Sequence, residues 1–241
     1  MSKEWKGNSD SVRSRLSINK DHTTKGREDD DFYATDPEAL EKLLDHCSMF
    51  LQGIFFSCRP KVYDIAAKQQ YAIYKNGVLS WLQPHIWECA CGTGNLVDVL
   101  LQRGYYAVWT DLKDRKYGKY RGMYGRSFLD ITQLFCMKYN VGVILTNPPY
   151  SLATEFIEHA LEILPDNGLY IALMNITYLA GQKRYKRVYR YGNLREVYIF
   201  SKRVNCYRNN DKEEYGSQAM VDFAWYVFQK GYCGQPTIYW L

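Results

Sequence analysis

The feature that most constrains the fold of this sequence is a repeated alternation of short apolar runs with amphipathic segments. Apolar runs stand at residues 86–90, 105–110, 141–146 and 169–174, and further strand-like runs follow at 196–200, 221–228 and 237–240. Segments with helical spacing of their apolar residues separate several of these runs, as at residues 95–104 and 152–164. Such alternation predicts an α/β fold, with a mostly parallel sheet and helices on both faces. Ligands of such sheets bind at the carboxyl ends of the strands.

The amino-terminal part of the sequence differs from the rest. Residues 1–30 are rich in Ser, Lys, Asp and Asn and lack apolar periodicity, which predicts a flexible arm. We expect residues 31–241 to form a single domain. A helix is predicted to begin at Thr35-Asp36-Pro37-Glu38, because a polar cap, an early proline and an acidic first turn are typical of helix starts. A second helix is predicted over residues 61–74.

Composition excludes several classes of protein. The hydrophobic fraction of 46% is sufficient for a full core, and no apolar run approaches the roughly 20 residues of a membrane span. No amino-terminal apolar stretch resembles a secretion signal. The seven cysteines are odd in number and lack CxxC spacing, so we predict neither a disulfide framework nor a metal site. Reduced thiols and a cytoplasmic location are expected.

A glycine turn follows the first apolar run of the alternating region. Residues 88–96 combine a strand end, a turn with Gly92 and Gly94, and a helix start that Asn95 is expected to cap. The two glycines allow the backbone to pass close to a ligand, where a Cβ would collide. We take Cys89, within this turn, as a further candidate for cofactor binding.

Two acids flank the glycine turn. Glu88 and Asp111 each end a predicted strand, and an acid at the end of the second strand is placed to accept both hydroxyls of a ribose. A dinucleotide-binding turn would have a third glycine where this sequence has Val97. Two carboxylates would repel a pyrophosphate, but they suit a ligand that carries a ribose, an ammonium and a sulfonium. The turn therefore predicts S-adenosylmethionine as cofactor rather than NAD.

Asn147-Pro148-Pro149-Tyr150, directly after the run at 141–146, is the most specific motif in the sequence. The prolines stiffen the turn and cannot donate to a strand ladder, which leaves carbonyl groups above the strand ends. The Asn147 side-chain oxygen and the Pro148 carbonyl could each accept a hydrogen of an aryl amine such as adenine N6. These bonds strengthen as the nitrogen becomes positive during methyl transfer. Tyr150 offers a face for stacking of a flipped base, so the motif predicts methylation of adenine N6 without a metal or general base.

Basic residues cluster in two segments. Between Gly181 and Arg208 nine basic residues stand against one acid, and between Lys113 and Arg126 six stand against one, interleaved with Tyr117, Tyr120 and Tyr124. Cations mixed with tyrosines fit a polyanion with stacking bases. We predict that the first segment grips the phosphates of nucleic acid through its candidate residues, which are Lys183, Arg184 and Arg187.

Over residues 25–241 the sequence resembles the small N6-adenine DNA methyltransferases of bacteriophages and prophages. The matching stretches are residues 31–35, 86–96, 146–152 and 178–184 and the segment around 223–225. The resemblance implies a class I, Rossmann-like methyltransferase fold and DNA as partner. It also implies that Phe32, Tyr33 and Thr35 help to hold the methionine end of the cofactor, and that the cofactor's adenine lies against Phe128. Ser127 stands where many relatives have an acid.

The order of the motifs is that of the group with a carboxyl-terminal recognition element. Only about 90 residues follow Tyr150, so we expect no large separate recognition domain and short or relaxed sequence specificity. Two alternatives stay open. The same motif occurs in methyltransferases for RNA amines and protein glutamine, and a non-catalytic subunit could keep the fold. The sequence indicates neither the recognition site nor the oligomeric state.

Overall fold

The structure is a computed structural model that describes residues 33–59, 73–75, 78–80, 84–118, 122–204, 206–208 and 222–241. The arm predicted at residues 1–30 and most of the helix predicted over 61–74 lie outside these ranges. Side chains are described for residues 34–59, 84–118, 122–204, 206 and 222–241.

A sheet of eight strands forms the centre of the fold. Its strands are β4 (His85–Glu88), β5 (Ala107–Thr110), β6 (Gly122–Met123), β7 (Val141–Thr146), β8 (Leu169–Asn175), β9 (Leu194–Ile199), β11 (Phe223–Gln229) and β12 (Thr237–Trp240). The strand order is β12-β9-β11-β8-β7-β4-β5-β6. Only β11 is reversed, since it pairs antiparallel with β8 and β9. This order with one reversed strand is that of the class I, Rossmann-like methyltransferase fold, which confirms the predicted fold class.

Six helices lie in the described ranges, namely α1 (Pro37–His46), α2 (Met49–Ser57), α3 (Asn95–Gln102), α4 (Gln133–Lys138), α5 (Ala153–Ile163) and α6 (Gln182–Arg187). The predicted start of α1 is confirmed, because the Asp36 side chain caps the helix by accepting from the amide of Glu38 at 3.0 Å. Helix α2 was not predicted. It begins after Ser48, whose hydroxyl accepts from the amide of Leu51.

The two faces of the sheet are covered by different helices. One apolar cluster joins Leu40 of α1, Phe55 of α2 and Leu100 of α3 to strand residues that include Ile86 and Leu145. The opposite cluster joins Ile157 and other residues of α5 to the strand residues that point the other way, including Trp87, Ile144 and Tyr170. Because neighbouring strand residues face opposite sides, the continuous apolar runs of β7 and β8 serve both clusters.

Two short ladders lie outside the main sheet. β1 (Tyr33–Thr35) pairs antiparallel with β10 (Cys206–Arg208), with Thr35 opposite Cys206. β2 (Ile73–Lys75) pairs antiparallel with β3 (Val78–Ser80). The prediction of helix at residues 73 and 74 is therefore wrong. Ile73 and Tyr74 favour strand, and the Asn-Gly sequence that follows Lys75 is a strong hairpin signal.

None of the helices in the described ranges is long and apolar enough to cross a membrane. In the same part of the chain, no group of three or more His, Cys, Asp or Glu side chains has the arrangement of a metal site.

Candidate active site

Three groups of predicted site residues lie together at the carboxyl ends of three adjacent strands. β4 pairs with β5 on one side and with β7 on the other. The chain therefore leaves these strands at one edge of the sheet, with the glycine turn after β4, Asp111 after β5 and Asn147 after β7. This is the edge at which open parallel sheets bind ligands.

The glycine turn has the backbone conformation that its sequence predicts. Gly92 and Gly94 have φ values of +57° and +86°, in the left-handed region that favours glycine. A Cβ at Gly94 would lie 2.1 Å from the ring of Tyr117, so the glycine also admits this close packing. The prediction that Asn95 caps α3 is wrong. The N-cap is Gly94, and the side-chain Nδ2 of Asn95 instead donates to the Thr35 backbone carbonyl at 2.9 Å.

Tyr117 and Tyr124 do not form the stacking surface that the basic segment at 113–126 was expected to present. Tyr117 is only 6% exposed and packs edge-on against Trp109. Its hydroxyl donates to Asp98 at 2.9 Å. Tyr124 packs on the same Trp109 and donates to the Tyr117 carbonyl. The two tyrosines therefore brace the glycine turn from the side of β5.

Asp111 is a buried carboxylate tied to the turn. Its Oδ2 accepts from the amide of Gly92 at 2.7 Å, and its Oδ1 accepts from the amide of Lys113 at 2.8 Å. The first bond joins the ends of β4 and β5 across the predicted ribose position. Each carboxylate oxygen retains a second acceptor position for a ligand hydroxyl.

Glu88 links the glycine turn to the Asn-Pro-Pro-Tyr motif. Its Oε1 accepts from the amide of Ala90 at 3.0 Å and from the hydroxyl of Thr146, the residue before Asn147, at 2.5 Å. Burial raises the pKa of Glu88 to about 8, against the opposing effect of these hydrogen bonds, and the nearby Asp111 carboxylate raises it further. The Glu88 carboxyl is therefore harder to ionise than that of an exposed glutamate.

Thr35 orients the side chain of Asn147. The Asn147 amide nitrogen donates to the Thr35 hydroxyl at 2.9 Å, and Thr35 is 3% exposed. Since the Thr35 carbonyl accepts from Asn95, one residue of β1 joins the start of α3 to the motif after β7. The sequence resemblance had assigned Thr35 to the cofactor, whereas its hydroxyl contacts the motif.

The aromatic member of the motif lies against the end of β11. Tyr150 is half-buried, and its ring centroid lies 6.1 Å from that of Phe223.

Tyr150 and Thr35 also hydrogen-bond the thiol of Cys206 on β10, and burial raises the pKa of this thiol to about 12. Cys206 was not a predicted site residue. In the sequence, Cys206 is marked only by its position in the carboxyl-terminal region. The pairing of its strand with β1 could therefore not be inferred.

The remaining cofactor candidates occupy different surroundings. Phe32 lies outside the described residues, and of Tyr33 only the backbone, in β1, is described. Cys89 is buried, and burial raises the pKa of its thiol well above the ordinary range. Ser127 precedes the short 3-10 helix Phe128–Asp130. Phe128 is 3% exposed and contacts Trp87, Phe156 and His159. Its contact with an adenine stays a prediction.

The basic candidates lie on α6, where two of the three contact the protein itself. Arg187 pairs with Glu155 at 2.9 Å and with Glu158 at 2.5 Å, both on α5. Arg184 donates to the carbonyls of Thr177 and Ala180, and its guanidinium lies 4.5 Å from the ring centroid of Tyr178. Lys183 is exposed. Phosphate binding by these residues stays a prediction, with Lys183 the best placed of the three.

No protein-family model matches this sequence, and no curated protein sequence matches it. Solved structures match its fold. The type IIG restriction endonuclease BpuSI is 17% identical with a TM-score of 0.55, over 89% of this chain and 27% of that one. The DrdV–DNA complex is 15% identical with a TM-score of 0.56, over 91% and 28%. A putative class I S-adenosylmethionine-dependent methyltransferase from Listeria monocytogenes is 15% identical with a TM-score of 0.45, over 66% and 58%.

The chain thus spans little more than a quarter of the length of the BpuSI and DrdV chains, with 27% and 28% of them covered. At these identities the likeness to BpuSI and DrdV establishes the fold alone. The chemistry has to be argued from the residues at the carboxyl edge of the sheet.

Proposed function

We propose that this chain is an S-adenosylmethionine-dependent methyltransferase that acts on the N6 amine of adenine in DNA. The observation that carries the proposal is the position of Asn147-Pro148-Pro149-Tyr150 directly after β7, next to the strand that leads into the glycine turn. A cofactor in the turn and a base at the motif would meet at one sheet edge. The DNA complex of DrdV and the restriction endonuclease BpuSI, which share the fold, support DNA as the substrate.

The chemistry of the turn fits S-adenosylmethionine. Asp111 would accept the ribose hydroxyls at the end of β5, where it is already held by two amides. A ligand ammonium beside Glu88 would favour the ionised form of its carboxyl group. Ser127 and Phe128 are the candidates for the adenine end, and Phe32 and Tyr33 for the methionine end. When bound, the cofactor supplies an electrophilic methyl group on a sulfonium.

The Asn147 amide would prepare the target amine for attack. Its nitrogen donates to Thr35, so its oxygen, on the other arm of the planar amide, points away from that bond. In the proposed mechanism this oxygen and the Pro148 carbonyl each accept a hydrogen bond from one N–H of adenine N6. The two hydrogen bonds draw the nitrogen lone pair out of conjugation. Both bonds strengthen as positive charge develops on nitrogen, and this differential stabilisation accelerates the step. The methylated nitrogen then releases its proton to water.

Tyr150 would hold the flipped base. Its ring is braced on one side by Phe223, and base–aromatic stacking contributes roughly 1–3 kcal/mol per base. Because stacking acts on the bound base and the amide acts on the transition state, the two residues have separable roles. Tyr150→Ala should weaken retention of the base as well as slow the reaction, whereas Asn147→Ala should act mainly on the rate.

The test is transfer of a labelled methyl group to adenine-containing DNA, to RNA of the same sequence and to a glutamine peptide. We expect transfer to DNA, and a fall in single-turnover rate on the order of 10²–10³-fold in Asn147→Ala with unchanged cofactor affinity. Transfer to RNA or to the peptide alone would overturn the substrate assignment. Cofactor binding without transfer to any of the three would identify a non-catalytic subunit, and an undiminished rate in Asn147→Ala would refute the mechanism.

A further inference from the structure

Cys206 lies between the two side chains of the Asn-Pro-Pro-Tyr motif to which the proposed function gives separate roles. It stands on β10, directly opposite Thr35 of β1 in the antiparallel ladder. Residues in directly opposite positions project to the same face, with their Cβ atoms roughly 4.5–5.5 Å apart. The strand pairing therefore places the Cys206 thiol beside the Thr35 hydroxyl, which is the group that accepts from the Asn147 amide.

On the Asn147 side, the thiol orients the hydroxyl of Thr35, to which it is hydrogen-bonded. A hydroxyl donates one hydrogen and accepts with its lone pairs, and a sulfur atom is a weak acceptor. When the Thr35 hydroxyl donates to Cys206, its lone pairs are left for the Asn147 amide nitrogen, 2.9 Å away. Hydrogen bonds in such a chain polarise and strengthen one another. The thiol therefore helps to fix the bond that orients Asn147.

On the Tyr150 side, the same thiol holds the hydroxyl end of the ring. Tyr150 hydrogen-bonds Cys206, and its ring centroid lies 6.1 Å from that of Phe223. One contact holds the end of the ring and the other holds its side, so the ring has little freedom to tilt. This is the ring that would stack on the flipped base.

The chemical state of the thiol suits hydrogen bonding better than reactivity. Burial raises the pKa of Cys206 to about 12, so at neutral pH the group is a protonated thiol. A protonated thiol is a poor nucleophile and a poor metal ligand. Among the described side chains, no group of three or more potential metal ligands is present.

We infer that Cys206 is a positioning residue, which orients the Asn147 amide through Thr35 and holds the Tyr150 ring directly. One side chain thereby links activation of the target amine to retention of the base. The effect on methyl transfer rests on the proposed function, whereas the effect on Asn147 can be measured without it. The competing explanation is that Cys206 only fills space against the apolar cluster of α1, α2, α3 and the sheet.

Serine and alanine at position 206 separate hydrogen bonding from packing. Cys206→Ser keeps a group that accepts and donates hydrogen bonds in a side chain of similar size, whereas Cys206→Ala removes the group. We expect single-turnover methyl transfer to duplex DNA to fall at least tenfold in Cys206→Ala and less than threefold in Cys206→Ser. A space-filling role predicts equal losses or the reverse order, because burial of a hydroxyl carries a desolvation cost. Either of these results would overturn the inference.

Cys136→Ala is the matched control. Cys136 is a second thiol whose pKa is raised to about 12 by burial, but it lies on α4 in the opposite apolar cluster. Its replacement should lower the free energy of unfolding while transfer stays within twofold of the parent. If Cys136→Ala slowed transfer as much as Cys206→Ala, the loss of any buried thiol would be sufficient and the inference would be wrong.

Removal of the two hydroxyl partners tests whether Cys206 acts through them. Tyr150→Phe keeps the ring but removes its hydroxyl, and we expect it to raise the KM for the duplex at least threefold. In a chain that carries both Tyr150→Phe and Thr35→Val, the further change Cys206→Ala should slow transfer less than twofold, because both partners are already absent. A parental KM in Tyr150→Phe, or a full tenfold loss in the triple variant, would overturn the inference.

Nuclear magnetic resonance measures the effect on Asn147 without reference to activity. The full chain is labelled with ¹⁵N at asparagine, and the side-chain amide signal of Asn147 is assigned by its loss in Asn147→Ala. We expect the hydrogens of this amide to exchange with solvent at least fivefold faster in Cys206→Ala. In Cys206→Ser and in Cys136→Ala the exchange should stay within twofold of the parent. Unchanged exchange in Cys206→Ala would overturn the inference at any level of activity.

The two proposals fail in different ways. Methyl transfer to DNA by the parent, with unchanged exchange of the Asn147 amide in Cys206→Ala, would overturn the positioning role and leave the proposed function intact. Faster exchange in Cys206→Ala, in a chain whose parent transfers no methyl group to DNA, would overturn the proposed function and leave the positioning of Asn147 by Cys206 intact.

Discussion

Replacing Thr35 with valine removes the hydrogen bond that orients Asn147 and, with the same hydroxyl, the contact to the Cys206 thiol. Valine has nearly the volume of threonine, so the buried position remains filled while the hydroxyl is lost. The bond lost runs from the Asn147 amide nitrogen to Thr35 Oγ1 at 2.9 Å. The Thr35 backbone carbonyl still accepts from the side-chain Nδ2 of Asn95, since that bond does not involve the Thr35 side chain. The link between β1 and the start of α3 should therefore persist.

The size of the effect follows from the burial of this contact. Leaving one buried partner of a hydrogen bond unsatisfied costs about 1–3 kcal/mol. In the parent this energy holds the amide in the orientation that presents its oxygen to the target amine, so most of the loss should appear in the transition state. Since about 1.4 kcal/mol corresponds to tenfold in rate, we expect single-turnover methyl transfer to slow by about 5- to 100-fold.

The assay is single-turnover transfer of labelled methyl to duplex DNA at saturating cofactor, with both affinities measured separately. Ser48→Ala is the matched control, because its hydroxyl also donates within the protein, to Glu196 at 2.9 Å, but lies at the start of α2. It should lower the free energy of unfolding by about 1 kcal/mol without slowing transfer.

A double-mutant cycle decides whether Thr35 acts through Asn147. If it does, Thr35→Val combined with Asn147→Ala should be no slower than Asn147→Ala alone, because the bond is already absent. Strictly additive losses, or a parental rate in Thr35→Val, would refute the orienting role.

Three further predictions concern the other charged groups of the site. Asp111→Asn should weaken S-adenosylmethionine binding by roughly 1.5–3 kcal/mol in calorimetry, since it removes a charged acceptor, and an unchanged affinity would contradict the ribose assignment. Because the pKa of Glu88 is raised to about 8, its contribution to stability is present below its unfolded value near 4.5 and is lost as pH rises toward 8. The free energy of unfolding of Glu88→Gln, measured in urea, should lack this decline with pH. Parallel pH profiles of variant and parent would contradict the raised pKa of Glu88. Lys183→Ala should reduce the salt slope of DNA binding by about one. Arg187→Ala should reduce the slope less, because the charge of Arg187 is paired with Glu155 and Glu158. The reverse order would refute the assignment of Lys183 to a phosphate.

The predictable part of the fold was the part governed by local pattern. The run at residues 141–146 coincides with β7, and the run at 237–240 coincides with β12. The helix start at Asp36-Pro37 was also predicted, because a cap and an early proline act within one turn. Helix α2 was not predicted, because its apolar residues are not confined to one face. Phe56, for example, is 76% exposed.

The candidate site was predictable in its parts but not in its connections. The motif and the glycine turn could be recognised because each is continuous in the sequence. The bonds from Asn147 to Thr35 and from Thr146 to Glu88 join residues that are far apart in the sequence, and no local pattern encodes them. Tyr117 was misjudged for the same reason. Its basic neighbours suggested an exposed surface for stacking, whereas Trp109 and Gly94 enclose its ring.

The β1–β10 ladder has a consequence for the order in which this molecule acquires its activity during folding. Asn147 and Thr35 are 112 residues apart in sequence, and the ladder that holds Thr35 joins even more distant segments. Pairing of such distant segments requires closure of long loops and is slow compared with formation of helices and adjacent strands. A folding intermediate could therefore contain the parallel sheet while the Asn147 amide still rotates. Competence for the proposed chemistry would be gained in the last step, when β1 pairs with β10.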